Sequence, residues 1–248
     1  MPMLPQTNYF YIGDGRMGTN YFRRLLHANN PLLIHDEFPR SHLLDPSRSP
    51  TYPKNDFDFF CTESPDFIAS TLQNIQESGN QFAVKILAWR SQTLYDMMNQ
   101  FPHYKIFLYR EHLYYAIRSL HVSKMLDRWM YHRYESSENL PTPDITIDPL
   151  FLNNHIEYGH LRNLEYWLSF YEKCYQEQNV MAISVEELTD HPEQFFTNVE
   201  VESRQTPRHI YANYPSYEEL PITPSNRYMI ARVHERMQAL GLKTRKDI

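Results

Sequence analysis

The sequence predicts an α/β fold: a P-loop-like parallel β-sheet flanked by helices on both faces. Three observations carry that expectation. Four short apolar, β-rich runs have the length and content of buried strands: Tyr9 to Ile12, Phe82 to Leu87, Lys105 to Tyr109 and Val180 to Ser184. Segments with apolar residues at three- and four-residue intervals lie between them, so strands alternate with helices and need crossover connections. The first strand also runs directly into a glycine loop and then a helix, the order in which phosphate-binding loops occur. With 248 residues, 42% of them hydrophobic, the chain can bury a sizeable core, and one domain over residues 1–248 is expected.

The elements follow in order. "YFYI" at Tyr9 to Ile12 is the first strand, and Thr19 to His27 is the helix beyond the glycine loop, with apolar residues at three- and four-residue intervals. "LLIH" at Leu32 to His35 is a weaker fifth strand. Helical spacing then covers Ser64 to Glu77, Ser91 to Gln100, Leu113 to Tyr134 and Ile156 to Gln178, and an amphipathic helix from Ser225 to Leu240 closes the chain. Two segments break the rhythm. Phe38 to Phe59 holds four prolines and Glu135 to Pro149 three, so each reads as a long loop, either a lid or binding loop or an ordinary surface excursion.

Charge and composition exclude several classes. A net charge of −6 argues against a general nucleic-acid binder, which needs a broad basic surface, but leaves room for a local anion pocket. The start of the chain lacks the pattern of a secretory signal, and no apolar run approaches the ~20 residues that span a bilayer. A soluble, cytoplasmic protein without an integral membrane segment is expected. Cys61 and Cys174 stand far apart without partners at metal-ligand spacing, which fits free thiols in a reducing compartment.

The chain has only 6 glycines, against 17 prolines and 19 tyrosines, and three of the six fall in Gly13-Asp-Gly-Arg-Met-Gly18. Glycines concentrated in this way point to a backbone task. The Lys and Ser or Thr that complete a nucleotide-triphosphatase loop are replaced by Thr19 and Asn20, so neither the lysine on the β- and γ-phosphates nor the magnesium-binding hydroxyl is in its usual place. Backbone N–H groups at the helix start, the Thr19 hydroxyl and the Asn20 amide can still hold a phosphate, and Arg16 puts a permanent charge in the loop. A second segment, "YKIFLYREHLYYAIRSLHVSK", is a strand ending at Arg110 followed by a helix bearing Arg118 and Ser119. Ligands of open parallel sheets bind at the carboxyl ends of the strands, where both segments fall. Two anion-binding groups there imply a ligand with two separated phosphates.

These segments resemble the sulfotransferases that use 3′-phosphoadenosine 5′-phosphosulfate (PAPS), and among them the bacterial carbohydrate and glycolipid enzymes more than the phenol and steroid enzymes. The family's first loop, approximately Arg-Ser-Gly-Thr-Thr/Ser-x-Leu, stands here as Arg16-Met17-Gly18-Thr19-Asn20-Tyr21-Phe22. "NPLLIHDEF", "FAVKIL" and "NVMAISVEELTDHPEQFF" are similar to later family segments, so the likeness runs over about residues 8 to 200. The resemblance implies the sulfotransferase fold, PAPS as sulfuryl donor, no metal, and a hydroxyl acceptor that is a carbohydrate, glycolipid or small metabolite.

Residue by residue, it implies that Gly15, Arg16, Met17, Gly18, Thr19, Asn20 and Tyr21 hold the 5′-phosphosulfate. Arg16 would also stabilise the departing phosphate. Arg110 and a helical serine would take the 3′-phosphate: the usual spacing of eight lands on Arg118, and a spacing of nine lands on Ser119, which is preferred. The acceptor's base is expected soon after the second strand, as Glu37 first and His35 second. Met17, Asn20 and Val185 depart from the family pattern, where serine, a hydroxyl residue and tyrosine are common.

Other constellations are weaker. Asp56 and Asp58 form an Asp-x-Asp pair, His155 and His160 are five apart, a poor spacing for two ligands on one α-helical face, and Trp89, Trp129 and Trp167 are either sugar-stacking or core residues. Two other functions remain open from sequence: a nucleoside-kinase-like phosphotransferase, and a non-catalytic protein that keeps a degenerate nucleotide site.

Overall fold

A computed structural model describes residues 4–13, 17–30, 33–38, 64–125, 145–200, 211 and 213–245, with backbone alone at 20, 34–38 and 123–125. Five strands, β1 (Asn8–Ile12), β2 (Leu33–Phe38), β3 (Gln81–Ile86), β4 (His103–Tyr109) and β5 (Val180–Ser184), form one sheet in the order β2-β3-β1-β4-β5. Every pairing is parallel, with Ile12 opposite both Ile86 and Phe107, and Tyr109 opposite Ser184. The α/β fold with helices on both faces is therefore the one expected. β1 lies at the centre because its residues are buried on both sides: Tyr9 and Tyr11 face one core, Phe10 and Ile12 the other. Buried Asn8 fixes its start, donating to Pro102 O at 2.9 Å and accepting from Phe82 N at 3.0 Å.

The smaller core is closed by α1 (Thr19–Asn29), whose Phe22, Leu25 and Leu26 meet Tyr9, Tyr11, Ile106 and Leu108, together with Leu188 of α8 (Val185–Asp190). The larger core gathers α2 (Pro65–Glu77), α4 (Tyr95–Met98), α5 (Leu113–Met125), α7 (Arg162–Cys174) and α9 (Pro224–Ala239) against Phe82, Val84, Ile86, Phe107 and Tyr109. Trp167 is fully enclosed there, edge-on to Phe107 at 5.5 Å. Ser64 and Thr223 cap α2 and α9, accepting from Phe67 N and Asn226 N.

Several elements differ from the sequence expectation. The second strand runs three residues beyond His35, to Phe38, so Asp36 and Glu37 lie inside it rather than after it. Among the described residues β2 is the edge strand, paired with β3 alone, and an edge strand tolerates polar residues that a central strand would not. The helix expected over Ser91 to Gln100 is two short ones, α3 (Ala88–Ser91) and α4, because Ser91 and Thr93 hydrogen-bond back to Ala88 O and Arg90 O and turn the chain. The long helix expected from Ile156 is preceded by α6 (Pro149–Asn154), capped by Asp148, and passes through a π-helical stretch, His155–Leu161, before α7. The loop Phe38 to Phe59 falls almost wholly outside the described residues, as do most of the Glu135 to Pro149 loop and the expected helix beyond Met125.

Candidate active site at the carboxyl edge of the sheet

The chain leaves β1 at Gly13, whose N–H reaches Ile86 O of β3 at 3.3 Å. A Cβ at Gly13 would stand 2.9 Å from Thr19 Cγ2, so this turn needs glycine for space. Gly18 is the N-cap of α1 with φ of 69°, the left-handed region. It contributes no side-chain cap, and the first turn of α1 carries no acidic residue. The leading N–H groups of a helix have no carbonyl partners within it, so the amino end of α1, with Thr19 and Asn20, is shaped for an anion. Tyr21 and Phe22 N–H close back on Gly18 O at 3.0 Å each.

The side chains divide by task. Met17, 3% exposed, packs into the larger core beside Leu113, Ile117, Ile156, His160, Leu164 and Ile230. It therefore anchors the loop, and only its backbone is available to a ligand, which accounts for an apolar side chain at this position. Thr19 is buried at the first helical position. Tyr21 is half-buried against the smaller core, and burial raises the pKa of its hydroxyl, keeping it a donor. Gly15 and Arg16 lie outside the described residues, as does the Asn20 side chain.

Arg110 leaves the end of β4, the strand next to β1. Its Nη1 donates to Glu186 Oε1 at 3.2 Å, and the other oxygen of Glu186 accepts from Glu111 N at 3.0 Å. Glu111 in turn accepts from Ser184 Oγ at 2.7 Å and from Arg245 Nε at 2.7 Å, while Arg245 N donates to Glu111 O. Lys243 pairs with Glu187, and its N–H donates to the Tyr109 hydroxyl. The segment after α9 thus straps across the carboxyl ends of β4 and β5 and brings two cations to the edge where Arg110 stands. Sequence reasoning missed this strap. The run of Lys243, Arg245 and Lys246 is a visible signal, but its carboxylate partners lie 56 residues or more away in the chain.

Arg118, on α5, has its guanidinium carbon over the rings of Tyr115 at 4.8 Å, Tyr211 at 4.3 Å and Tyr114 at 5.4 Å. Among the described residues no carboxylate pairs with it, and its buried Nε has no acceptor. Ser119 is its half-buried neighbour on the same helix.

On the other side of β1 the register places Lys85 opposite Tyr11 and opposite Glu37. Lys85 is the penultimate residue of β3 and half-buried; Ala83, two residues earlier, belongs to the core under α1, so Lys85 rises on the same face of the sheet as α1. Its signal was present in "FAVKIL", where a lysine interrupts an apolar strand. His35 is opposite Ala83, two residues deeper than Glu37 and further from the carboxyl edge. Nothing beyond backbone position is described for His35 or Glu37.

The weaker candidates separate cleanly. The π-helical stretch turns by about 4.4 residues, so His155 and His160 stand closer to one face than α-helical spacing implies. Even so, among the described residues no three His, Cys, Asp or Glu side chains cluster as metal ligands. Trp167 is core, Trp89 is 37% exposed on α3, and Trp129, Asp56, Asp58 and Cys61 lie outside the described residues. Cys174 is a buried free thiol whose pKa burial pushes up to about 12, which makes it a poor nucleophile. Among the described residues no helix is long and apolar enough to cross a membrane.

No protein-family model and no curated protein matches the chain. Among solved structures it is similar to a sulfotransferase from Alicyclobacillus acidocaldarius, with 14% identity, a TM-score of 0.47 and 96% of each chain covered.

In chemical terms the carboxyl edge offers, among the described residues, a helix start without a side-chain cap, a strand-end arginine held by a carboxylate, and a caged arginine with a donor left unsatisfied. Each is a feature that takes oxyanions. β1, flanked by β3 and β4, sits where the strand order reverses, the position at which open parallel sheets open a ligand crevice.

Proposed function

We propose that the chain is a sulfotransferase that moves a sulfuryl group from PAPS to a hydroxyl of a carbohydrate, glycolipid or small metabolite. One observation supports this above the others: the glycine loop with the open start of α1 and the strand-end Arg110 occupy adjacent strands at the reversal point of a single sheet. A ligand with two phosphate groups set apart matches two such positions. Arg118 Nε, a buried donor with no acceptor among the described residues, fits an anionic ligand as well.

In this reading the backbone of Gly15, Arg16, Met17 and Gly18, with Thr19, Asn20 and Tyr21, holds the 5′-phosphosulfate. Arg110, with Arg118 or Ser119, holds the 3′-phosphate. The donor supplies an activated sulfuryl group; the chain aligns it with the acceptor and offsets the charge that grows on the leaving phosphate. Arg16 takes that role from the loop, and Lys85 reinforces it from β3 in place of the lysine the loop lacks. Glu37 accepts the acceptor's proton, with His35 the second candidate. No step calls for a metal.

The test is thermal stabilisation by adenosine 3′,5′-bisphosphate against adenosine monophosphate, ATP and UDP-sugars, followed by transfer from labelled PAPS to a panel of sugars. A ligand at a hundred times its dissociation constant adds about 2.7 kcal/mol of stability, readily seen in Tm. A selective shift with the bisphosphate and transfer to a sugar are expected. Stabilisation by magnesium-ATP alone would point instead to a phosphotransferase.

A further inference from the structure

We propose that Glu186 is the positioning residue of the anion site, holding Arg110 in the orientation that receives the nucleotide's second phosphate; this rests on the sulfotransferase reading above. The geometry is specific. One carboxylate, 9% exposed, spends one oxygen on Arg110 Nη1 and the other on the N–H of Glu111, the next residue in the chain. The guanidinium and the backbone that carries it are thereby locked to a single point on α8. That point is itself fixed, since Tyr109 of β4 and Ser184 of β5 are register partners and Ser184 caps α8 through Glu187 N.

Glu186 engages Arg110 through Nη1, which sets the direction of the guanidinium plane. Arginine gives up a large rotamer freedom when it binds an anion, and a side chain already held in place gives up less. The opposing effect is repulsion between Glu186 and an incoming phosphate. Here that repulsion is muted, because the carboxylate's charge already meets Arg110, the Glu111 amide and the amino end of α8. Orientation therefore outweighs repulsion, and the sign of the effect on binding is a direct readout of which one dominates.

The experiment measures calorimetric dissociation constants of adenosine 3′,5′-bisphosphate and adenosine monophosphate for wild type, Glu186→Gln, Glu186→Asp, Arg110→Ala and the Arg110→Ala/Glu186→Gln double variant. Glu186→Gln should weaken the bisphosphate about tenfold, with the monophosphate changed less than about twofold. Glu186→Asp, which keeps the charge on a shorter arm, should fall between, and it serves as the working variant if the glutamine protein does not fold. The double variant should bind no more weakly than Arg110→Ala alone. Unchanged or tighter bisphosphate binding by Glu186→Gln overturns the inference, as does an equal loss on the Arg110→Ala background, the mark of a merely structural role. If Arg110→Ala itself leaves the bisphosphate-to-monophosphate ratio untouched, the two-phosphate reading falls, and the inference with it.

Discussion

A Cβ placed on Gly18 would stand 2.8 Å from Val185 Cγ2, so the end of the glycine loop and the start of α8 touch where only a hydrogen fits. The contact joins β1's loop to the edge that carries Glu186. Gly18→Ala therefore meets two penalties: a left-handed backbone costing about 1–2 kcal/mol for an L-residue, and a clash of the kind that costs about 1–3 kcal/mol in a packed core. Urea unfolding should show the sum. Adding Val185→Ala should recover the clash alone, and a double variant as unstable as the two single losses added would show that the contact is not what Gly18 serves.

His103 gives the fold a built-in pH dependence. It is buried at the start of β4, edge-on to Phe10 at 5.0 Å, with Nδ1 at 2.6 Å from Phe101 O and Nε2 without a partner among the described residues. Burial lowers its pKa to about 4. The unfolded chain then binds the extra proton first, so the His103 contribution is complete above pH ~6.5, is lost as pH falls toward 4, and levels off below that. The loss amounts to about 3 kcal/mol. Unfolding free energies between pH 7 and 4.5 should fall with that slope, and His103→Phe should flatten it. An unchanged slope in the variant would remove His103 as the cause.

Lys105 is fully buried, bonded to Glu177 at 2.6 Å and Asn99 at 2.9 Å, near the amino ends of the strands and away from the candidate site. Burial acts to raise the Glu177 pKa, but hydrogen bonds from Lys105 and Tyr95 outweigh it and leave the carboxyl below its usual value. Its stabilisation is present above pH ~4.3 and lost as pH drops through the lowered folded value. Glu177→Ala strands a buried ammonium and should cost about 3 kcal/mol, the low end for a broken buried pair because Glu177 is 27% exposed. Replacing both partners, as Lys105→Met with Glu177→Leu, should be better tolerated than the single change. A double variant worse than Glu177→Ala would show that the ammonium was not the problem.

Much of this architecture is legible in the chain because buried parallel strands and amphipathic helices write different periods. Phe82 to Leu87 and Lys105 to Tyr109 are read to within two residues at either end. β2 was not, since an edge strand has one neighbour and can carry His35, Asp36 and Glu37 without an apolar signature. The π-helical stretch is invisible for a different reason: it is seven residues long between two α-helices, too short for its wider turn to write a period of its own. At the site, the glycine loop and Arg110 are visible as motifs, because local backbone chemistry fixes them. Glu186, Arg245 and Tyr211 are not, because they reach the site only through tertiary contacts such as the one between Glu186 and a residue 76 positions earlier.

The sharpest functional prediction separates Glu37 from His35. Register sets Glu37 opposite Lys85, one residue from the end of β3, while His35 lies opposite Ala83 in the buried part of the sheet. A base must reach an acceptor that enters from the carboxyl edge, so Glu37 is the better placed of the two. Glu37→Gln keeps the size of the side chain but cannot take the proton, and turnover with labelled PAPS should fall by about 10²–10⁴ with little change in bisphosphate affinity. His35→Ala should lose less than about tenfold in turnover. Lys85→Met should lower turnover and bisphosphate affinity differently, with the larger effect on turnover, since its charge acts on the leaving group rather than on a bound phosphate. Full activity in Glu37→Gln together with an inactive His35→Ala would transfer the base to His35 and require the acceptor to reach two residues deeper along β2.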